Sequence, residues 1–182
     1  MKDAVVDIRQ YFQPVFRTPP WKVKLGVGSF LTFEFGPRVR AHGHVRGQWH
    51  LWIYSSNWKL FRGNRQLVDS DADRNLITVA TRRLEEKALT NIDFNADTRE
   101  TTFSFDDFRL VVSPSDYLDH PGDRDNYWMF FMPKNEVLTV GPAGIRVEPS
   151  DAPRPLIDEK KQEIEISEIN PKRDIRLSDK DA

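Results

Sequence analysis

Cysteine is absent from the 182 residues, which excludes disulfides, a thiolate nucleophile and Cys-ligated zinc. No run of about 18 apolar residues occurs, so the sequence carries no helical membrane span. The start, Met1-Lys2-Asp3-Ala4-Val5-Val6-Asp7, holds acids where a secretory signal would be apolar, which argues against export and for a cytoplasmic protein. Excess charge of one sign is also missing. The 27 Lys+Arg and 28 Asp+Glu leave a formal net charge of -1, which excludes a generally basic nucleic-acid binder, though not a local patch. No repeat of solenoid or propeller length is present.

Aromatic residues are what the chain has in plenty. Its 5 Trp and 12 Phe can fill a core with few side chains, because each ring buries a large area. All of them precede Pro149, where the composition changes. Pro149-Ser150-Asp151-Ala152-Pro153-Arg154-Pro155 can continue neither strand nor helix, and Leu156 to Ala182 has no aromatic residue and dense mixed charge. The expected organisation is a compact β-rich domain over 1–149 and a charged tail over 150–182. Within the tail, Glu163-Ile164-Glu165-Ile166-Ser167-Glu168-Ile169 alternates as a strand does. It either adds to a sheet edge, in its own domain or in a partner, or stays disordered, since core-forming residues are few.

Val5, Ile8 and Phe12 form one apolar stripe and predict a short N-terminal helix that Pro14 stops. Strands are expected over Trp21 to Leu25 and Ser29 to Phe35, the second ended by Gly36-Pro37. Gln48 to Tyr54 puts Trp49, Leu51 and Ile53 on one face and His50, Trp52 and Tyr54 on the other. Bulk on both faces predicts a central strand covered on both sides, continuing through Trp58 and Leu60 after a kink at Ser55-Ser56-Asn57. A helix over 71–88 is predicted from the Ser70 to Asp73 cap region and a stripe of Leu76, Ile77, Ala80, Leu84 and Ala88. Further strands follow: Thr101 to Phe105 and Phe108 to Val112 around an Asp106-Asp107 turn, Tyr127 to Met132, Val137 to Val140, and Ile145 to Val147. The class is therefore α+β: mainly antiparallel β, as a sheet, a sandwich or a partly open barrel, with one packed helix and a short N-terminal one.

No catalytic set stands out. His42 and His44 lie two apart and could, with His50, make a three-His metal site. Arg38 to Arg46 reads more simply as a basic loop with Gly43 at its tip, so no metal and no cofactor are expected. Glu34 lies among Phe30, Leu31, Phe33 and Phe35; desolvation there would favour a general acid, but an open sheet face or pairing with Arg38 or Arg40 is the simpler reading. Gly26-Val27-Gly28-Ser29 lacks the ending of a phosphate loop. Ser29, Ser104 and Ser113 lack a nucleophile-elbow context. Asp116, Asp119, Asp123 and Asp125 do not have the spacing of an EF-hand. Basic residues beside Trp49 and Trp52 resemble a single-strand binding surface, yet a domain charge of about +1 argues against nucleic acid as the partner.

The stretch Trp21-x-Val23-x-Leu25-Gly26-x-Gly28-Ser29-Phe30-Leu31-Thr32-x-Glu34-Phe35-Gly36 resembles the pattern of a group of small bacterial proteins with no assigned activity. So do Gly47-x-Trp49-His50-Leu51-Trp52-Ile53-Tyr54 and Val137-Leu138-Thr139-Val140-Gly141-Pro142. The resemblance covers roughly residues 21 to 147 and transfers no site. Proteins of this style often serve as immunity or accessory proteins in bacterial conflict systems, an analogy of style only. The function expected is a non-enzymatic module that binds another protein, with Arg38, Arg40, His42, His44, His50, Trp52, Tyr54 and Glu34 as candidate contacts, since Trp, Tyr and Arg anchor interfaces. The alternative is a small enzyme or ligand-binding domain with a pocket around Glu34, His50 and Tyr54.

Overall fold

The computed structural model describes residues 7–41, 44–115 and 126–150, all within the compact unit Met1–Asp151. His42, the acidic run Asp116 to Asp125 and the alternating tail segment lie outside the described residues. Among the described residues, eleven strands form two antiparallel sheets. The first sheet takes β1 (Lys22–Leu25), β2 (Leu31–Ala41) and β3 (His44–Ile53). The chain then builds the whole second sheet from β4 (Ser56–Arg62), β5 (Arg65–Asp69), β6 (Leu89–Phe94), β7 (Thr101–Phe105) and β8 (Phe108–Pro114). It returns to the first with β9 (Trp128–Met132), β10 (Glu136–Gly141) and β11 (Gly144–Pro149). The strand orders are β1-β2-β3-β9-β10-β11 and β5-β4-β8-β7-β6. The sheets do not close into a barrel, so of the expected architectures the open two-sheet form is the one adopted.

The core lies between the sheets and follows from two-residue alternation. On the six-stranded sheet the inner face holds Val23, Phe33, Leu51, Phe130 and Leu138 in one row, and Leu31, Ile53, Trp128 and Val140 in the next. All of these are buried. Phe103, Phe105, Leu110 and Val112 answer from the other sheet, with Phe33 stacked on Phe105 at 5.7 Å. Buried indoles need partners. Trp128 Nε1 donates to Thr101 Oγ1 across the core (2.8 Å), and Trp58 Nε1 donates to the Ser29 carbonyl (2.8 Å). A short helix α1 (Arg9–Phe12) inserts Phe12 between the sheets, stacked on Phe130 at 4.0 Å and edge-on to Phe103 at 6.0 Å.

Several expectations need correction. Strand β2 does not end at Gly36-Pro37 but runs on to Ala41, through a bulge in which Phe35 pairs with Trp49 and Arg38 with Gly47. A bulge is where a strand can hold a proline, which has no N–H to pair. Gly36 supplies the positive φ of 68° there. Of the residues expected as a basic loop, Arg38 to Ala41 and His44 to Arg46 are thus paired as the far end of a long hairpin. The kink after Tyr54 is where the chain changes sheets rather than a bend within one strand. Helix α2 (Arg74–Arg82) is shorter than predicted and runs into a 3-10 turn over Arg83–Glu86. Its cap is Asp73, whose side chain accepts from the Asn75 and Leu76 N–H groups. Its buried stripe is Ile77, Thr81 and Leu84, while Leu76, expected in the core, is 63% exposed. Thr81 can face inward because its hydroxyl donates to the Ile77 carbonyl (2.8 Å), so the helix is phased on a residue that polarity alone marks as external.

Candidate functional site

The outer face of the six-stranded sheet gathers half of the candidate residues. Cross-strand pairing lays out one row of Lys22, Glu34, His50, Phe131, Val137 and Glu148, and a second of Lys24, Thr32, Trp52, Met129, Thr139 and Arg146. Directly paired residues share a face, so Glu34 and His50 are neighbours by register. Trp52 follows two residues along. The next ring out is Tyr54, beside Phe30 at 5.4 Å.

The rings touch in series. Phe30 meets Trp52 at 5.3 Å, Trp52 meets Phe131 at 4.9 Å, and His50 lies 5.4 Å from Trp52 and 6.0 Å from Phe131. Phe30, His50, Trp52 and Phe131 are partly buried and Tyr54 is 45% exposed, while Met129, Val137 and Thr139 between and beside them are buried. β3 is central in its sheet, as its two bulky faces suggested. Only its inner face, however, has another described layer packed on it.

Glu34 is 7% exposed, and its burial has a structural cause. Beside the bulge, where Gly47 pairs with Arg38, the Gly47 N–H donates to Glu34 Oε2 (2.6 Å). His50 Nδ1 lies 2.8 Å from the same oxygen, but off the direction of a hydrogen bond, so the ring nitrogens are left without hydrogen-bond partners. Trp52 Nε1 is likewise buried without one. Such atoms are uncommon in folded proteins, and here two side chains on one face contribute them. The Trp58 and Trp128 indole N–H groups are satisfied, whereas Trp21 Nε1, Asn91 Oδ1 and the Tyr127 hydroxyl, elsewhere in the domain, are also buried without partners.

The other candidates lie elsewhere. Arg38 opposes Gly47 and Arg40 opposes Val45, on the hairpin face that carries Trp49 and Leu51, not the one that carries His50 and Trp52. Both arginines are exposed, and Arg38 covers the Trp21 ring at 4.6 Å. His44 pairs with Ala41 at the hairpin end. It is six residues from His50 along one strand, about 20 Å at ~3.3 Å per residue, so the two cannot share a metal ion. Among the described residues no cluster of three or more His, Asp or Glu has metal-binding geometry. Tyr54 is four residues beyond His50, about 13 Å, with Trp52 between them.

Phe30, Met129, Phe131 and Val137 were not among the candidates. The run Tyr127 to Met132 is apolar at every position, so alternation marks no outer face, and only its pairing with β3 puts Met129 and Phe131 on the same face as Trp52 and His50. A second exposed apolar feature lies between β5 and α2, where Leu67, Leu76, Val79 and Ala80 sit between Arg65 and Arg83. Among the described residues no helix is long and apolar enough to cross a membrane. No protein-family model, curated protein or solved structure matches the chain.

Proposed function

We propose that the protein is a non-enzymatic binding module that recognises another protein through the outer face of its six-stranded sheet. One observation carries the reading: a continuous run of partly buried rings on the outer face, from Phe30 through Trp52 to His50 and Phe131, with the Trp52 indole and the His50 imidazole lacking hydrogen-bond partners. Interface hot spots are enriched in large aromatic side chains of this kind. Lys22, Lys24, Glu148 and Arg146 flank the rings with both signs of charge, the polar rim that such interfaces have. An immunity or accessory role in a bacterial conflict system is the kind of biology such a module would serve.

The rival reading, a catalytic or ligand pocket built on Glu34, His50 and Tyr54, has one supporting contact, the 2.8 Å approach of His50 to Glu34. Against it, the Glu34 oxygen is already engaged by Gly47, and Tyr54 is a full ring away.

The test is affinity capture from the source cell with the full-length chain as bait, read by mass spectrometry and repeated with Trp52→Ala and Tyr54→Ala. One stoichiometric protein partner is expected, weakened at least tenfold by Trp52→Ala, the loss of about 1.4 kcal/mol, with the circular dichroism spectrum unchanged. Capture unaffected by either substitution, or a bound small molecule and no protein, would reverse the reading. Nucleic acid as the partner would show instead as affinity falling steeply with salt.

A further inference from the structure

A sheet edge is a row of unpaired N–H and C=O groups, and folded proteins cover such rows. Three of the four edges here have a described cover. On β1 the Val23 N–H donates to Glu85 Oε1 (2.8 Å) from the 3-10 turn after α2. β5 lies against α2. On β6, Leu89 accepts from the Arg17 N–H (2.7 Å) and donates to the Thr18 carbonyl (3.1 Å). β11 is paired with β10 on one side and has no strand on the other among the described residues.

The outward groups of β11 follow from its ladder. The Ser150 N–H donates to the Asn135 carbonyl (2.6 Å), one step beyond the pairing of Glu136 with Pro149. Alternation in an antiparallel ladder then turns the backbone groups of Glu148 and Arg146 toward β10, and those of Ile145, Val147 and Pro149 outward. Val147 is 42% exposed although it lies opposite the fully buried Leu138. The segment is also nearly symmetric about Val147: a base precedes it, an acid follows, and an apolar residue stands two positions away on either side.

We propose that β11 pairs antiparallel with β11 of a second copy of this chain, about a two-fold axis at Val147. Each Val147 then donates to and accepts from the other, and each Ile145 N–H reaches the second copy's Pro149 carbonyl. Pro149 lacks only an N–H, and water takes the Ile145 carbonyl. Arg146 falls opposite the second copy's Glu148, and Glu148 opposite the second copy's Arg146, at the closer, non-hydrogen-bonded positions of the ladder. The contact is isologous, so it closes at two chains. Arg146 is exposed and its bond to Asn126 Oδ1 is long (3.3 Å), so it can turn to this partner. The pairing leaves His50 and Trp52 untouched and gives the assembly two copies of the aromatic face.

A five-residue contact buries well under the area of a standard interface, so the dimer forms reversibly. Sedimentation of the full chain from low micromolar to near-millimolar concentration should show the average mass rising toward twice the monomer. Amide exchange by NMR should show Ile145 and Val147 becoming protected over the same range. R146E and E148R should each weaken association several-fold, and the double variant R146E/E148R should restore it. V147P should abolish it without unfolding the domain, because the Val147 N–H faces away from β10 and no ladder bond is lost. A monomer at every concentration overturns the proposal. So does concentration-independent protection of Ile145 and Val147, which would place a segment of the same chain on the edge, and so does a dimer indifferent to V147P.

Discussion

Replacing Glu34 by Ala removes the acceptor of the Gly47 N–H and leaves a buried donor unpaired inside the β2–β3 bulge. The strand backbones are so close here that a Cβ on Gly47 would lie 2.5 Å from the Phe35 carbonyl oxygen, which leaves little space for water to reach the bare N–H. A hydrogen bond to an ionised acceptor contributes about 1.5–3 kcal/mol, so Glu34→Ala should lower stability by roughly 2 kcal/mol, and Tm by about 4–8 °C for a domain of this size. Glu34→Gln presents a neutral carbonyl oxygen to the same N–H and should lose about 1 kcal/mol or less. Urea unfolding followed by tryptophan fluorescence separates the two, provided the slope m stays constant. If Glu34→Ala is as stable as the parent, the Gly47 bond is not what holds Glu34 inside. If Glu34→Gln falls as far as Glu34→Ala, the negative charge beside His50 is what matters, and the bulge account fails.

Two further outcomes test the frame around the face. Thr101→Val keeps the shape of a fully buried residue but strands the Trp128 indole N–H, so it should cost about 1–3 kcal/mol. Thr101→Ser keeps the acceptor and should cost about 1 kcal/mol, the loss of one buried methyl; equal stability of Thr101→Val and the parent in urea would refute the cross-sheet bond. The Asp107 carboxyl is held below the usual carboxylate range, first by its hydrogen bond from Arg62 and then by Lys87, against some desolvation. A group with a depressed folded value stabilises at neutral pH and loses that contribution as pH falls through the folded value. Because Asp107 is exposed the effect is small. An NMR titration should place its midpoint low and move it upward in Arg62→Ala; an unmoved midpoint would exclude Arg62 as the cause.

Strand content was legible where local chemistry is decisive. The Asp106-Asp107 turn forms, with Asp106 at a positive φ of 47° and Phe105 paired with Phe108. The alternation of Trp49, Leu51 and Ile53 against His50 and Trp52 separates the two faces of β3. What the pattern could not give was anything set by distant partners. Pro37 looked like the end of a strand because a bulge opposite Gly47 is invisible until the hairpin is paired. Leu76 looked like core because Thr81, with its hydroxyl satisfied inside the helix, takes a buried position that hydropathy gives to others. The adjacency of Glu34 and His50 was conditional on register, and register is fixed by the β2–β3 pairing. Phe131 escaped notice because its neighbour β3 is far away in the chain.

That distance has a consequence for synthesis. Ile53 is paired with Trp128, and the entire five-stranded sheet is translated between them. At roughly 5–20 residues per second, a ribosome takes about 4–15 s to pass from one to the other. Throughout that interval the nascent β3 has its β9 side vacant, and the ring cluster has no Phe131. A partner that binds this face can therefore engage only chains whose translation has passed β9, while anything that meets the polypeptide earlier meets a bare, aromatic-rich strand edge.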